Sequence, residues 1–286
     1  MNKLSTLLLS MFFLAGCDYV DEPLGEEDGP DNPGVVVPRR ILLEDCTGHT
    51  CNNCPEAARI AEEMKENLGD RLIIVAVHMV DGFAAPVPPL GDGEFDTDFR
   101  TAAGSEYETT FGIGSLPKGM VSRKPFENSI SLGRNKWNSA AGALDGQEAA
   151  LDLWFDSISY DQGTNTATLK VKAACVKPLS GNHSLTIYLL EDSIIADQLD
   201  LDAEPDHVQD YLHRHVLRDN VNGTWGQNFV VGSADVGDTL ETQVISYTLA
   251  ANVLDHTHCS FVAYVYSTAG TDQYEVKQAV EAKLLP

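Results

Sequence analysis

Apolar and polar residues are patterned in two ways along this chain, and the change comes near residue 150. Before it, Ile41-Leu42-Leu43 and the near-continuous run Leu72–Val77 read as strands, the second buried on both faces. Between them Ala57, Ala61, Met64 and Leu68 recur at helical spacing, with Glu56, Glu62, Glu63 and Lys65 on the wet face and Gly69 as the stop. Strand, helix and strand predict a βαβ unit. Phe95, Phe99 and Tyr107 predict an inserted helix between about residues 95 and 111, and Met120-Val121 a further strand.

After residue 150 the period shortens. Segments beginning at Leu151, Thr168, Ser184, Gln243, Ser260 and Tyr274 partly alternate apolar and polar, and Gly, Asn and Asp turns separate several of them. Six such strands predict an antiparallel β-sandwich, immunoglobulin-like in outline. The segment Asp206–Asn220 interrupts them and reads as a long loop, continuing to Trp225. His213, Arg214, His215, Arg218 and Trp225 make it a candidate binding loop, although histidines in loops more often hold backbone than ligand.

Composition adds limits. The 286 residues suffice for two domains, and 43% hydrophobic with 22% charged residues is globular composition. The formal charge of -24 repels phosphate backbones, so nucleic acid is excluded as a partner. Lys3, the apolar stretch Leu4–Ala15 and Leu14-Ala15-Gly16-Cys17 predict a lipoprotein signal over residues 1–16 and lipidation of Cys17. Several acyl chains anchor a protein to a membrane without a spanning helix. Residues 17–34 are acidic and rich in Pro and Gly, a flexible tether. Domains are expected over residues 35–147 and 148–286.

The candidate chemistry lies at the first strand-to-helix junction, Cys51-Asn52-Asn53-Cys54-Pro55. Proline is tolerated only in the first helical turn, so the helix begins beside Cys51 and its positive end favours a Cys51 thiolate. Cys54 is close enough to close a disulfide. In a βαβ context the motif is similar to that of thioredoxins. Cys51 would then attack a substrate disulfide and Cys54 would resolve it. That similarity gives Asp45, six residues earlier, the role of proton relay, and Pro117 that of a cis-proline aligning substrate. Two other readings stay open. One is an inert structural disulfide. The other is a soft-metal cluster of Cys46, His49, Cys51 and Cys54, but no second motif completes such a site, so neither metal nor cofactor is expected. Cys175 and Cys259 are a candidate bridge between sheets.

The lipobox, LLEDCTGHTCNNCPEAA, LPKGMVSR and YLHRHVLRDNVNGTWG together resemble the Bacteroidota lipoprotein family called outer membrane protein twenty-eight, Omp28. The resemblance implies an outer-membrane lipoprotein with a thioredoxin-like domain followed by a β-sandwich, facing periplasm or exterior. Members of that family commonly carry an aromatic where this chain has Cys46, which opens the question of disulfide exchange with Cys51 or Cys54. Two functions follow as expectations. One is a thiol–disulfide oxidoreductase or isomerase acting on envelope proteins. The alternative is a non-catalytic binding or assembly lipoprotein using the HRHVLR loop.

Overall fold

A computed structural model describes residues 36–87 and 94–285; the signal segment, Cys17 and the acidic tether lie outside them. Strand β1 (Ile41–Thr47), helix α1 (Cys54–Leu68) and strand β2 (Leu72–His78) come first. The two strands run parallel, Ile41 opposite Leu72 and Thr47 opposite His78. Helix α1 turns Ala57, Ala61 and Met64 onto Ile41, Leu43 and Ile74, as their spacing requires. A short helix α2 (Asp81–Ala84), helix α3 (Ala102–Phe111), strand β3 (Lys118–Val121) and helix α4 (Trp137–Gly142) follow. Strand β3 lies antiparallel on β1, Cys46 opposite Lys118.

Helix α3 is shorter than its aromatic spacing suggests. Thr101 is extended, and its hydroxyl accepts the Gly104 N–H, which starts the helix there. Phe95 and Phe99 precede the helix and are buried by another cluster, described below.

The regular structure of the remaining chain is almost all strand. It comprises β4 (Leu151–Asp161), β5 (Thr166–Cys175), β6 (Leu179–Ser180), β7 (His183–Glu191) and β8 (Ile194–Leu199). Next are β9 (His207–His213), β10 (Val216–Asn220), β11 (Gln227–Val230), β12 (Ser233–Ala234) and β13 (Thr239–Glu241). Strands β14 (Ile245–Thr248), β15 (Cys259–Ser267) and β16 (Val276–Lys283) end it. The chain is thus mostly β-sheet with few helices.

One sheet has the order β16-β15-β7-β10-β2-β1-β3, with β11 also on β7. Strand β10 makes the join: Val216 pairs with Ala76, and the Ala76 N–H donates to the His215 carbonyl at 2.8 Å. Strands from both sides of residue 147 therefore share one sheet. A four-stranded sheet, β13-β5-β14 with β4 on β5, packs against it through Leu153, Leu169, Val171, Ile187, Leu189 and Phe261. Strands β7 and β15 are buried on both faces, so their sequences lack the clean alternation of β4.

Two expectations need correction. The segment 206–220 is strand, two-residue turn and strand. Its alternation is hidden because β10 enters the sheet buried while β9, among the described residues, pairs only with β8. Cys175 and Cys259 are free thiols and do not bridge the sheets. Each is sealed in the apolar interior, the Cys259 thiol facing the Asp255 carbonyl at 3.7 Å. Burial pushes both thiols up, Cys175 to about 11 and Cys259 to about 12.

A polar knot lies between the elements. Arg123, fully buried, donates to both carboxylate oxygens of Glu44 at 2.7 and 2.6 Å and to Tyr188 and Tyr264. Tyr107, Tyr264, Phe111 and Trp225 surround its guanidinium. Its residues come from β1, α3, β7 and β15, so it fixes their relative placement.

Candidate functional site

The chain leaves β1 at Thr47 and turns at Gly48, where a β-carbon would lie 2.6 Å from the Phe83 carbonyl oxygen. Only glycine lets the loop pass this close to α2. The turn delivers Cys51 to the start of α1, with Pro55 in its first turn. Cys51 and Cys54 are disulfide-bonded, their Cα atoms 5.4 Å apart. Both are sealed: 3% of Cys51 and 1% of Cys54 are exposed.

The cover is the chain's own β8–β9 hairpin. The Leu199 N–H donates to the His49 carbonyl and the Leu201 N–H to that of Asn52, each at 2.8 Å. Between them Gln198, buried, donates its amide to the carbonyls of Gly48 and Cys51 at 3.3 and 3.2 Å. Residues 198–201 thus run alongside the cysteine loop, bonded to its backbone on alternate residues as an added strand would be. Salt bridges from Arg59 on α1 to Asp200 and Asp202 fasten the far end of the cover.

Asp45 lies on the α1 side of the sheet. It is buried, one carboxylate oxygen has no hydrogen-bond partner, and desolvation pushes it up to about 8. Beside it a cavity of about 400 Å³ opens between α1 and the hairpin, lined also by Glu62, Ile74, Tyr211, Arg214 and His215. The Leu116–Pro117 peptide is cis, just ahead of β3, where Lys118 pairs with Cys46 near the end of β1 from which the cysteine loop departs. Cys46 itself packs on the opposite face of the sheet, with Tyr107, Tyr188 and Met120. That placement removes it from exchange with Cys51 or Cys54, and burial raises its thiol well above the ordinary range. Cys46, His49, Cys51 and Cys54 do not converge, and among the described residues no group of three His, Cys, Asp or Glu is arranged to hold a metal.

The five residues expected to form one binding loop are dispersed, because alternate positions of β9 and β10 face different neighbours. His213 is buried against His78 and Phe99, with ring centroids at 5.8 and 4.7 Å. Arg214 is half exposed at the cavity rim. His215 hydrogen-bonds Glu62 of α1 at 3.1 Å. Arg218 is buried beside Glu191, and Trp225 belongs to the aromatic cluster around Arg123. Sequence reading missed Gln198 and the packing of Phe99 against His78 and His213; the only hint was a lone histidine closing the apolar run of β2.

The buried imidazoles and Asp45 oppose each other in pH. Desolvation lowers His49, lowers His78 well below its ordinary value, and takes His213 to about 4. The unfolded chain binds more protons at these sites, so their contribution to stability is complete above the unfolded value near 6.5. It is lost as pH falls toward the folded values, by about 1.4 kcal/mol per group per pH unit. Asp45, raised in the fold, has the opposite sign: its contribution is lost as pH rises from about 4 through 8. Below 6.5 it offsets only one of the three imidazoles. Stability is therefore expected to peak near pH 6.5 and to fall by about 2 kcal/mol by pH 8. Urea unfolding across that range checks this, and Asp45→Asn should flatten the alkaline arm and steepen the acid one.

The family model of the outer membrane protein Omp28 matches residues 104–284. The chain belongs to the Omp28 family. The match begins inside α3, so it takes in Pro117 and the β-rich part and leaves out the Cys51–Cys54 loop. Membership places the protein at the outer membrane, and among the described residues no helix is long and apolar enough to cross a membrane. HBP35 of Porphyromonas gingivalis has a similar structure, with TM-score 0.63 and 16% identity over 88% of this chain and 77% of that one. A protein from Agrobacterium tumefaciens aligns at TM-score 0.51 and 12% identity, covering 88% and 96%. A domain of the outer membrane lipoprotein Omp28 from Porphyromonas gingivalis aligns at TM-score 0.29 and 23% identity, covering 48% and 88%. No curated protein matches the chain. At these identities the first two structural likenesses speak for the fold alone.

Proposed function

We propose that this Omp28-family protein is a non-catalytic binding or assembly lipoprotein of the outer membrane. It would be anchored through lipidated Cys17 and held off the membrane by the acidic tether of residues 17–34. In this reading residues 35–147 form a thioredoxin-like module and residues 148–286 an immunoglobulin-like sandwich that shares a sheet with it through β10 and β2. The Cys51–Cys54 disulfide is a staple and not a turnover centre. The burial of both sulfurs beneath Gln198–Leu201 carries the reading: a substrate disulfide has no approach to Cys51 while those residues occupy the loop. The two asparagines between the cysteines supply no positive charge to favour a thiolate.

The test is the reduction potential of the pair with insulin-disulfide reductase activity. A potential below about −300 mV with no turnover is expected. Replacing both cysteines by serine should leave a folded protein about 2 kcal/mol less stable. Turnover abolished by Cys51→Ser would overturn the proposal.

One observation favours a second reading, a thiol–disulfide oxidoreductase or isomerase acting on an envelope client. Asp45 is a buried acid pushed up to about 8 beside an open cavity, a setting that suits a proton relay for Cys54. In that reading the reduced protein's Cys51 thiolate attacks the client disulfide and expels one client thiolate. Cys54 gives its proton to Asp45 and attacks the Cys51 sulfur, releasing the second client thiolate. The client gains two electrons, and the Cys51–Cys54 bond forms. Pro117 would align the client, and the hairpin would first have to leave.

A further inference from the structure

A second pocket, sharing no residue with the disulfide or its cover, lies where the β10–β11 turn meets β15 and the loop before β16. It has a volume of about 350 Å³, within the range of small-ligand sites. Trp225 and Tyr274 supply its aromatic faces, and Ser184, Asn228, Thr268 and Gln273 its polar groups. None of the eight lining residues is charged, in a chain of net charge -24.

The aromatic faces are held in place. The indole N–H of Trp225 donates to Glu106 at 2.8 Å, and its carbonyl accepts the Tyr266 hydroxyl at 2.7 Å. The Trp225 and Tyr274 rings lie 5.3 Å apart at 42°. Gly226 follows at φ +66, where a β-carbon would lie 2.1 Å from the Leu185 carbonyl oxygen, so the turn is pressed against β7. Tyr274 itself holds φ +71, a backbone region that a ring-bearing residue enters only when its surroundings impose it. The side-chain amides of Asn228 and Gln273 are exposed at the rim and make no hydrogen bond to the described residues.

The chemistry narrows the ligand. A cation would favour an aromatic cage, but the guanidinium of Arg123 already stands 5.9 Å from the Trp225 ring and 6.0 Å from that of Tyr266. An anion meets the field of the whole chain and no basic lining residue. What remains is a neutral ligand with apolar patches for the rings and several donors and acceptors for hydroxyl and amide groups. A proline-rich peptide offers mainly carbonyl acceptors and needs a long groove, whereas this pocket is compact with hydrogen-bonding side chains around it. We propose that the Trp225–Tyr274 pocket binds a neutral sugar unit of a glycan, its C–H face on the rings and its hydroxyls on Asn228, Gln273 and Ser184. The site stands whether or not Cys51 and Cys54 turn over.

Maltotriose, mannotriose and triacetylchitotriose, titrated into the full-length mature protein with tryptophan fluorescence and calorimetry, test it. At least one should bind saturably and change the fluorescence, a change that Trp225→Phe abolishes. Tyr274→Ala and the rim variant Asn228→Ala should each weaken that binding roughly tenfold, about 1.4 kcal/mol. Failure of all three sugars to saturate by about 10 mM overturns the proposal. So does binding indifferent to Asn228→Ala and Tyr274→Ala, or saturation of the site by decaproline in their place.

Discussion

Arg123→Met is expected to cost the protein about 3–5 kcal/mol of stability, because it leaves the Glu44 carboxylate buried without its counter-charge. The pair is fully enclosed, both side chains 0% exposed, and two oxygens of one carboxylate receive two nitrogens of one guanidinium. The Tyr188 hydroxyl would still donate to Glu44 at 2.7 Å, but a neutral hydroxyl does not replace a cation. Loss of the guanidinium also empties the ring of Tyr107, Phe111, Trp225 and Tyr264 that encloses it. Urea unfolding at neutral pH measures the cost. Glu44→Gln in the Arg123→Met background should return most of it, since two uncharged groups of similar shape need no partner ion. A single variant within about 1 kcal/mol of the parent, or a double variant no better than the single, would refute the account.

That knot also shows where sequence reading stops. Helix α1 was legible because Ala57, Ala61 and Met64 meet one apolar surface, and β2 because a strand covered on both faces needs nearly every side chain apolar. Glu44 stands inside such a strand and signals that something neutralises it, but its partner is 79 residues away and nothing local to Arg123 points to it. The cysteine motif placed the disulfide and the start of the helix. It could not place the cover, whose residues 198–201 lie about 150 positions later and act through the backbone N–H groups of Leu199 and Leu201 and one side-chain amide, that of Gln198. The HRHVLR block misled for the opposite reason. Its charges look exposed in one dimension, yet Arg218 is buried beside Glu191 and His213 among aromatic rings. Residue type shows that a polar group will need a partner; only the tertiary fold supplies it.

Gln198→Ala should speed reduction of the Cys51–Cys54 disulfide by dithiothreitol roughly 10- to 100-fold. The wild-type amide is buried and reaches the carbonyls of Gly48, Cys51 and Leu199, so it joins the cover to the loop carrying the sulfurs. Loss of buried hydrogen bonds costs about 1–3 kcal/mol, and each 1.4 kcal/mol makes an opened state about tenfold more populated. If reduction passes through hairpin opening, its rate follows that population. Asp200→Ala should act in the same direction by only two- to threefold, since its partner Arg59 is half exposed and the ion pair is screened. Amide hydrogen exchange at Leu199 and Leu201 separates local opening from global unfolding: both amides should exchange faster in Gln198→Ala while those of β7 do not. A reduction rate within twofold of the parent would mean that the hairpin does not gate the sulfurs. Faster reduction without insulin turnover keeps the disulfide a staple. Faster reduction with turnover that depends on Cys51 would make residues 198–201 an occupant of the groove where a client strand lies, and would bring Asp45 into use as the relay beneath it.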